Sequence, residues 1–395
     1  MPVIRLLIGV CLLAISGCVL TGQGKFGDTT IAPQTEHGLW ITRWDYQSPE
    51  DVRKAIADAA SVGITDIYWQ VRGQADAYYK SSKEPWGIEL LKYNPDPPGF
   101  DPLEVAISAA KSNKVRIHAW VNVMPLWRGK TPPMDRTHIY HTRPEWRLRD
   151  ETGQIQALHD GYVVVNPVLD PVHDHIVGVI RDLVDRYDID GIHLDYVRFL
   201  TDEVKQDQLM PGDPMSRALY SEQTGKDADP TKIDRAHYRQ WIASRITTLV
   251  ERIERESISN ARGVRFSAAV WRRPDLASDR YLQNAADWVN SGTMDAIMPM
   301  IYTDKDSQFR SDLASWQAVV RSRAVIPGIG MYKHTNPSQT LYQTAIGDPQ
   351  RFGVFAYASL FESPNPDQKR DAESVRLRAQ QRSAMKDLLQ RIESP

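Results

Sequence analysis

Residues 190–199 read DGIHLDYVRF. Ile192, His193, Leu194 and Asp195 alternate between apolar and polar, and a period of two marks a strand with unlike faces. One face carries Ile192, Leu194 and Tyr196; the other carries His193 and Asp195. A carboxylate buried on a strand is costly unless it is paired or used. Two other stretches repeat the pattern. In DIYWQVR (66–72), Ile67, Trp69 and Val71 oppose Tyr68, Gln70 and Arg72. In RIHAWVNV (116–123), Ile117, Ala119 and Val121 oppose His118, Trp120 and Asn122. The apolar sets suit a cover of helices, and the polar sets suit the lumen of a closed barrel.

Strand patterns recur at 39–44, 65–72, 116–123, 191–197, 265–271, 295–302, 325–331 and 353–359. Helical patterns separate them, and Ser48 before Pro49 is the clearest N-cap. Alternating strands and helices imply a parallel sheet. Eight repeats fit an α/β fold of the (β/α)8 TIM-barrel type with long βα loops and a C-terminal surface helix. An open doubly wound sheet is the competing architecture. It usually opens with a Gly-rich phosphate turn, and WITRWDYQSPE (40–50) has none. Three βα connections are long, 73–101, 124–171 and 198–234, and all three fall on the C-terminal face, where such barrels place their sites.

With 42% apolar and 25% charged residues the body is globular, and a net charge of −2 argues against nucleic acid as a partner. Eleven Trp and sixteen Tyr matter more, because many sit near strand ends or in loops, where a ring can stack on a sugar. The N-terminus stands apart. Residues 1–18 combine Arg5, a short apolar run and ISGC, which resembles a lipobox. Cleavage there makes Cys18 the acylated N-terminus and leaves no second cysteine for a disulfide, since Cys11 is removed. Val19 after it resembles an outer-membrane sorting signal; an ordinary signal peptide or an anchoring helix is the alternative. The chain then divides into a signal segment (1–18), a polar tether (19–37), the barrel (38–362) and a charged helical tail (363–395).

Polar residues gather at the strand ends: Arg43, Arg72, Asn122, Asp195, Arg272 and Tyr302. They are expected to converge on one mouth. Arg72 or Arg198 is the expected partner of Asp195, and a cation there would hold it ionised. An ionised aspartate suits a nucleophile or electrostatic stabiliser. His173 with His175, and His138 with His141, have spacings that reach a metal, but solvated surface is the preferred reading. No G-x-S-x-G or H-E-x-x-H motif is present, and no cofactor or metal is expected.

WITRW (40–44), DIYWQVRGQADAYYKSSKEPW (66–86), IHAWVNV (117–123), DGIHLDYVRF (190–199) and MPMIY (298–302) together resemble the glycosyl hydrolase-like 10 proteins. These are bacterial lipoprotein barrels that include a divisome-localised glycosyl hydrolase. The resemblance implies a TIM barrel acting on glycans, with peptidoglycan strands lacking stem peptides as substrate. It also implies a lipid-anchored place in the envelope and a contact with the division machinery. The 190–199 strand further resembles the fourth strand of α-amylase-type barrels, which makes Asp195 the expected nucleophile or base. The amylase acid, a glutamate ending strand five, is missing: FSAAVWRRP offers Trp271 and Arg272. Glu84, Asp76, Asp45 and Asp304 are the remaining carboxyls for the proton donor, with Asp304 and Glu84 preferred. Arg43, Arg72, Asn122, Arg198, Arg272 and Tyr302 are expected to grip the sugar, with Trp86 and Trp127 stacking on its rings. A glycan-binding scaffold without chemistry, or a hydrolase of another polysaccharide, fits the same pattern.

Overall fold

The computed structural model describes residues 35–199, 208–261, 263–320 and 324–393. Cys18, the signal segment and residues 19–34 of the expected tether lie outside the described residues. Eight parallel strands close into a barrel in chain order: Glu36–Ile41, Asp66–Arg72, Arg116–Asn122, Gly191–Asp195, Arg265–Val270, Ala296–Ile301, Gly328–Gly330 and Arg351–Phe355. The eighth pairs with the first, Glu36 opposite Arg351 and Leu39 opposite Val354. The first strand starts two residues inside the stretch read as tether.

The helices form where the sequence offers caps. Ser48 accepts from the Asp51 N–H while Asp51 accepts from the Ser48 N–H, a capping box that opens the helix Pro49–Ser61. An unanticipated helix, Pro214–Thr224, lies in the third long loop. Its signals are local: Asp213 as N-cap, Pro214 at the first turn and Gly225 in the left-handed C-cap position. The helix expected over 279–292 shortens to Ala285–Asn290. The tail helix Ala372–Glu393 does not leave the barrel. Met385 and Leu389 are buried, Arg382 donates to the Leu360 carbonyl at 3.0 Å, and Leu389 packs over Gly63.

The expected division of faces holds on strands two to four. Ile67, Trp69, Val71, Ile117, Ala119, Val121, Ile192 and Leu194 join the large apolar layer between sheet and helices. Trp40, Tyr68, Trp120 and Met298 form a separate cluster inside the barrel. Small residues make room for these rings. A Cβ at Gly191 would lie 2.2 Å from His118 Nδ1, so only glycine lets that imidazole cross the lumen.

Charge at the bottom of the lumen is paired. Glu36 accepts from the Tyr68 hydroxyl at 2.8 Å and faces Arg265 at 2.8 Å. Asp66 accepts from Arg116 Nε at 2.6 Å and sits 2.9 Å from His118 Nε2. Above them His193 is neutral. Trp40 donates to its Nε2 at 3.2 Å, which leaves Nδ1 to donate to Ser267, and burial pushes its pKa well below the ordinary value.

Burial alone would raise the Asp66 carboxyl, but His118 and Arg116 outweigh it and hold the pKa down to about 2, from an ordinary 3.8. A depressed carboxyl contributes stability that is present above its unfolded pKa and lost as pH falls through the folded one. Asp66 should therefore contribute on the order of 2 kcal/mol at neutral pH, lost between about pH 4 and pH 2. Denaturant melts of the wild type and Asp66→Asn across that window check this. The two curves should converge toward pH 2.

Candidate active site

Asp195 ends the fourth strand, opposite Asn122 on the third. It is 6% exposed and makes no ion pair among the described residues. Tyr196 takes a left-handed conformation, φ 52°, which folds its N–H back onto Asp195 Oδ1 at 2.6 Å. A non-glycine residue seldom adopts that backbone, and such outliers gather at functional sites. Burial pushes the Asp195 carboxyl up from its ordinary value, while Arg198, the Tyr196 N–H and the Trp120 indole pull it back only in part. The expected cation that fixes it as a carboxylate is therefore not in place. Arg198 is instead caged by aromatic faces, 4.8 Å from the Trp271 ring, 4.9 Å from Tyr196 and 5.0 Å from Tyr281.

Arg72 and Glu84 are not free to act on a substrate. Arg72 donates to both Glu84 oxygens, at 2.8 and 2.7 Å, and to the carbonyls of Asn122 and Val123. His175 completes the cluster at 2.9 Å from Glu84. Burial works to raise the Glu84 carboxyl, but Arg72 and His175 drive it far below the carboxylate range. A group held ionised this firmly is no proton donor, so neither the acid role of Glu84 nor the gripping role of Arg72 survives. The cluster instead ties the loop after strand two to strand three and to the helix Asp170–Arg186.

Other expected contacts also resolve into structure. Asn122 donates to the Gly73 carbonyl at 3.0 Å and is 1% exposed. Arg272 turns outward to Asp312 on the helix Asp306–Val319, because strand five ends at Val270 and the chain then leaves the lumen. Arg43 is buried. It donates to the Tyr162 hydroxyl at 3.0 Å, lies 3.4 Å from Glu89 and stacks 3.9 Å over the Trp44 ring. Tyr302 remains at the mouth, half-buried, where burial and then the Asp195 charge push its pKa well up. Asp304 follows it but is exposed, on the loop after strand six.

Trp86 and Trp127 do share a wall, as expected for stacking residues. They line a cleft of about 800 Å³ with Asp76 and His138. Asp76 is 2% exposed; its Oδ1 accepts from the Gln74 N–H at 2.9 Å and its Oδ2 has no partner. Burial, reinforced by the Glu89 charge, pushes its pKa up to about 6 against the pull of Arg43. Asp76 was one of four carboxyls the sequence offered, and nothing local singled it out. Its neighbours come from separate loop segments. Tyr162, which joins Arg43 and packs edge-on to Tyr196 at 5.3 Å, carried no sequence signal at all.

The histidines are not solvated. His173 is fully buried, donating to the Pro167 carbonyl at 2.7 Å, and burial lowers its pKa to about 4. His138 sits 3.0 Å from the Gln74 carbonyl, and His141 sits 2.7 Å from that of Pro133. No group of three metal-ligating side chains occurs among the described residues.

A closed parallel barrel with a buried aspartate ending its fourth strand places that carboxyl on the face where barrel enzymes of this architecture hold their sites. The chain belongs to the glycosyl hydrolase-like 10 family, whose model matches residues 36–340. It is 27% identical over 307 residues to "Glycosyl hydrolase DigH" of Escherichia coli (strain K12), a match covering 70% of this chain and 64% of that protein. It is 25% identical over 273 residues to "Glycosyl hydrolase YngK" of Bacillus subtilis (strain 168), covering 65% and 49%. The chain thus spans between half and two thirds of these relatives. Among solved structures, the PgaB (BpsB) glycoside hydrolase domain from Bordetella bronchiseptica superposes with a TM-score of 0.61 at 14% identity, over 90% of this chain and 99% of that one. The beta-galactosidase from Marinomonas ef1 gives 0.62 at 8% identity, over 91% and 60%. These two likenesses concern the fold.

Glu84→Gln separates a structural role from a catalytic one. It leaves Arg72 buried without its anion, a change that typically costs about 3–5 kcal/mol. A thermal melt should show a large loss of stability. An unchanged melt with lost turnover would return Glu84 to the catalytic set.

Proposed function

We propose that this chain is a lipid-anchored glycoside hydrolase of the cell envelope, cutting peptidoglycan glycan strands that lack stem peptides. The observation that carries the hydrolase reading is Asp195, a buried carboxyl at the mouth of the barrel that makes no ion pair among the described residues. The family and the aromatic walls support a glycan as substrate. The lipid on Cys18, the outer-membrane address facing the periplasm and the division-machinery contact rest on the sequence and its family resemblance.

Glycosidases of the common kind need two carboxyl groups with different roles. Burial raises both carboxyls, and the charges that act with or against it differ between them. Around Asp195, a guanidinium and two N–H groups favour the charged form against burial. Around Asp76, the anions of Glu89 and Glu84 add to burial. Asp195 is therefore the nucleophile or base. Asp76 is the proton donor, displacing Asp304 and Glu84. The buried Arg43 lies between the two sides, sensing Asp76 and bonded through Tyr162 to the ring that follows Asp195.

A glycan-binding scaffold is the second reading, favoured by the end of strand five, where Val270, Trp271 and Arg272 supply no carboxyl. Incubating the protein without residues 1–18 with denuded glycan strands, intact sacculi and a plain β-glucan decides between the two. Mass spectrometry should find fragments from denuded strands only. Asp195→Asn should abolish them, and Asp76→Asn should slow release by about 10²–10⁴-fold. An acid must be protonated to work, so kcat/KM should fall as pH rises through about 6. That limb should vanish in Asp76→Asn. Binding without cleavage, equal in wild type and Asp195→Asn, would leave the scaffold.

A further inference from the structure

A second cleft, of about 950 Å³, opens on the opposite side of the mouth between the ends of strands one, seven and eight and the C-terminal segment. Its barrel wall is aromatic: Trp44, Tyr332 and Phe355. Phe355 stacks on Tyr302 at 5.4 Å between centroids, and Tyr332 meets both edge-on, at 6.0 Å from Tyr302 and 6.1 Å from Phe355. Tyr302 in turn senses the Asp195 charge. A continuous set of rings therefore runs from the catalytic aspartate into this cleft.

The far wall is mostly polar and includes Asp367, Lys369, Asp371, Glu373, Arg378 and Gln381. Arg378 is 9% exposed and spends one N–H on the Lys369 carbonyl at 2.6 Å. Gln381 is 3% exposed and lines the cleft. A glutamine amide there can both donate to and accept from a ligand. These wall residues lie beyond residue 340, where the family match ends. The helix that carries them is fixed to the barrel through Met385, Leu389 and Arg382.

We infer that this cleft is a second saccharide subsite, remote from the bond that is cut, in which Trp44 stacks on a sugar ring and Gln381 bonds its hydroxyl or acetamido group. The ligand class follows from the walls. Aromatic faces opposite amide, guanidinium and carboxylate groups match a sugar, which is apolar on its ring faces and polar at its rim. The volume lies within the roughly 300–1,000 Å³ that encloses a drug-sized molecule, so more than one ring fits. The inference rests on the glycan reading above and adds that the C-terminal helix helps to hold the chain being cut.

The test uses chitohexaose and chitobiose as probes, with binding followed by calorimetry in the Asp195→Asn protein. Chitohexaose should bind more tightly than chitobiose. Adding Gln381→Leu or Trp44→Ala should remove that gain, weakening hexaose binding about tenfold, with melting checked for each variant. Gln381→Leu keeps the volume and helix preference of its position, which guards against simple unfolding. Hexaose binding unmoved by either change, in an enzyme that cuts denuded strands, overturns the subsite alone. Binding that depends on Gln381 and Trp44 in a wild type that cuts nothing keeps the subsite and overturns the hydrolase. Neither binding nor cutting overturns both.

Discussion

A charge inside a barrel lumen must be paired, neutralised or used, and the rest of this structure depends on how that constraint is met. The desolvation cost of an isolated buried ion is too large to leave standing. Glu36 and Asp66 meet it with arginines from other strands. His193 meets it by losing its proton. Glu84 meets it with Arg72 and His175. Asp195 meets it with none of these. Its carboxyl is left with N–H donors and a cation already stacked on three rings, so burial moves its pKa upward. The chain tolerates that position, and a left-handed Tyr196 beside it, at the place where a barrel presents its strand ends to a substrate.

The same constraint explains why the fold was legible in the sequence and much of the site was not. Alternation on strands two, three and four is a local signal, and it assigned the inward residues Tyr68, Trp120, His193 and Asp195 before any coordinate. The strand positions followed, within a few residues at each end. Pairing is not local. The partner of Arg72 comes from a long loop twelve residues on, and its second anchor, His175, comes from a helix far along the chain. Sequence placed Arg72 beside Asp195 because both stand among the polar strand ends expected to converge on one mouth, and three dimensions gave it to Glu84. Arg272 failed for a simpler reason: the strand stops at Val270, and a residue beyond a strand end need not keep its face.

The long loops do more than decorate the mouth. The first brings Asp76 and Trp86 against Trp127 from the second, and the pKa of Asp76 is raised by burial and then by anions that the folded loop gathers. The C-terminal helix performs a parallel service on the other side, closing a cleft that the barrel alone leaves open. In the proposed reading the barrel supplies one aspartate, and the segments around it supply the walls and the second carboxyl. Such a division of labour is what lets one barrel architecture serve many chemistries.

The central claim is that burial, only partly offset by its neighbours, governs Asp195. The most direct measurement is a carboxyl-carbon NMR titration of aspartate-labelled protein, with the Asp195 resonance assigned by its loss in Asp195→Asn. A midpoint above the ordinary 3.8 is the predicted result. A midpoint at or below 3.8 would contradict the account, because it would show a carboxylate already paired, as Asp66 is.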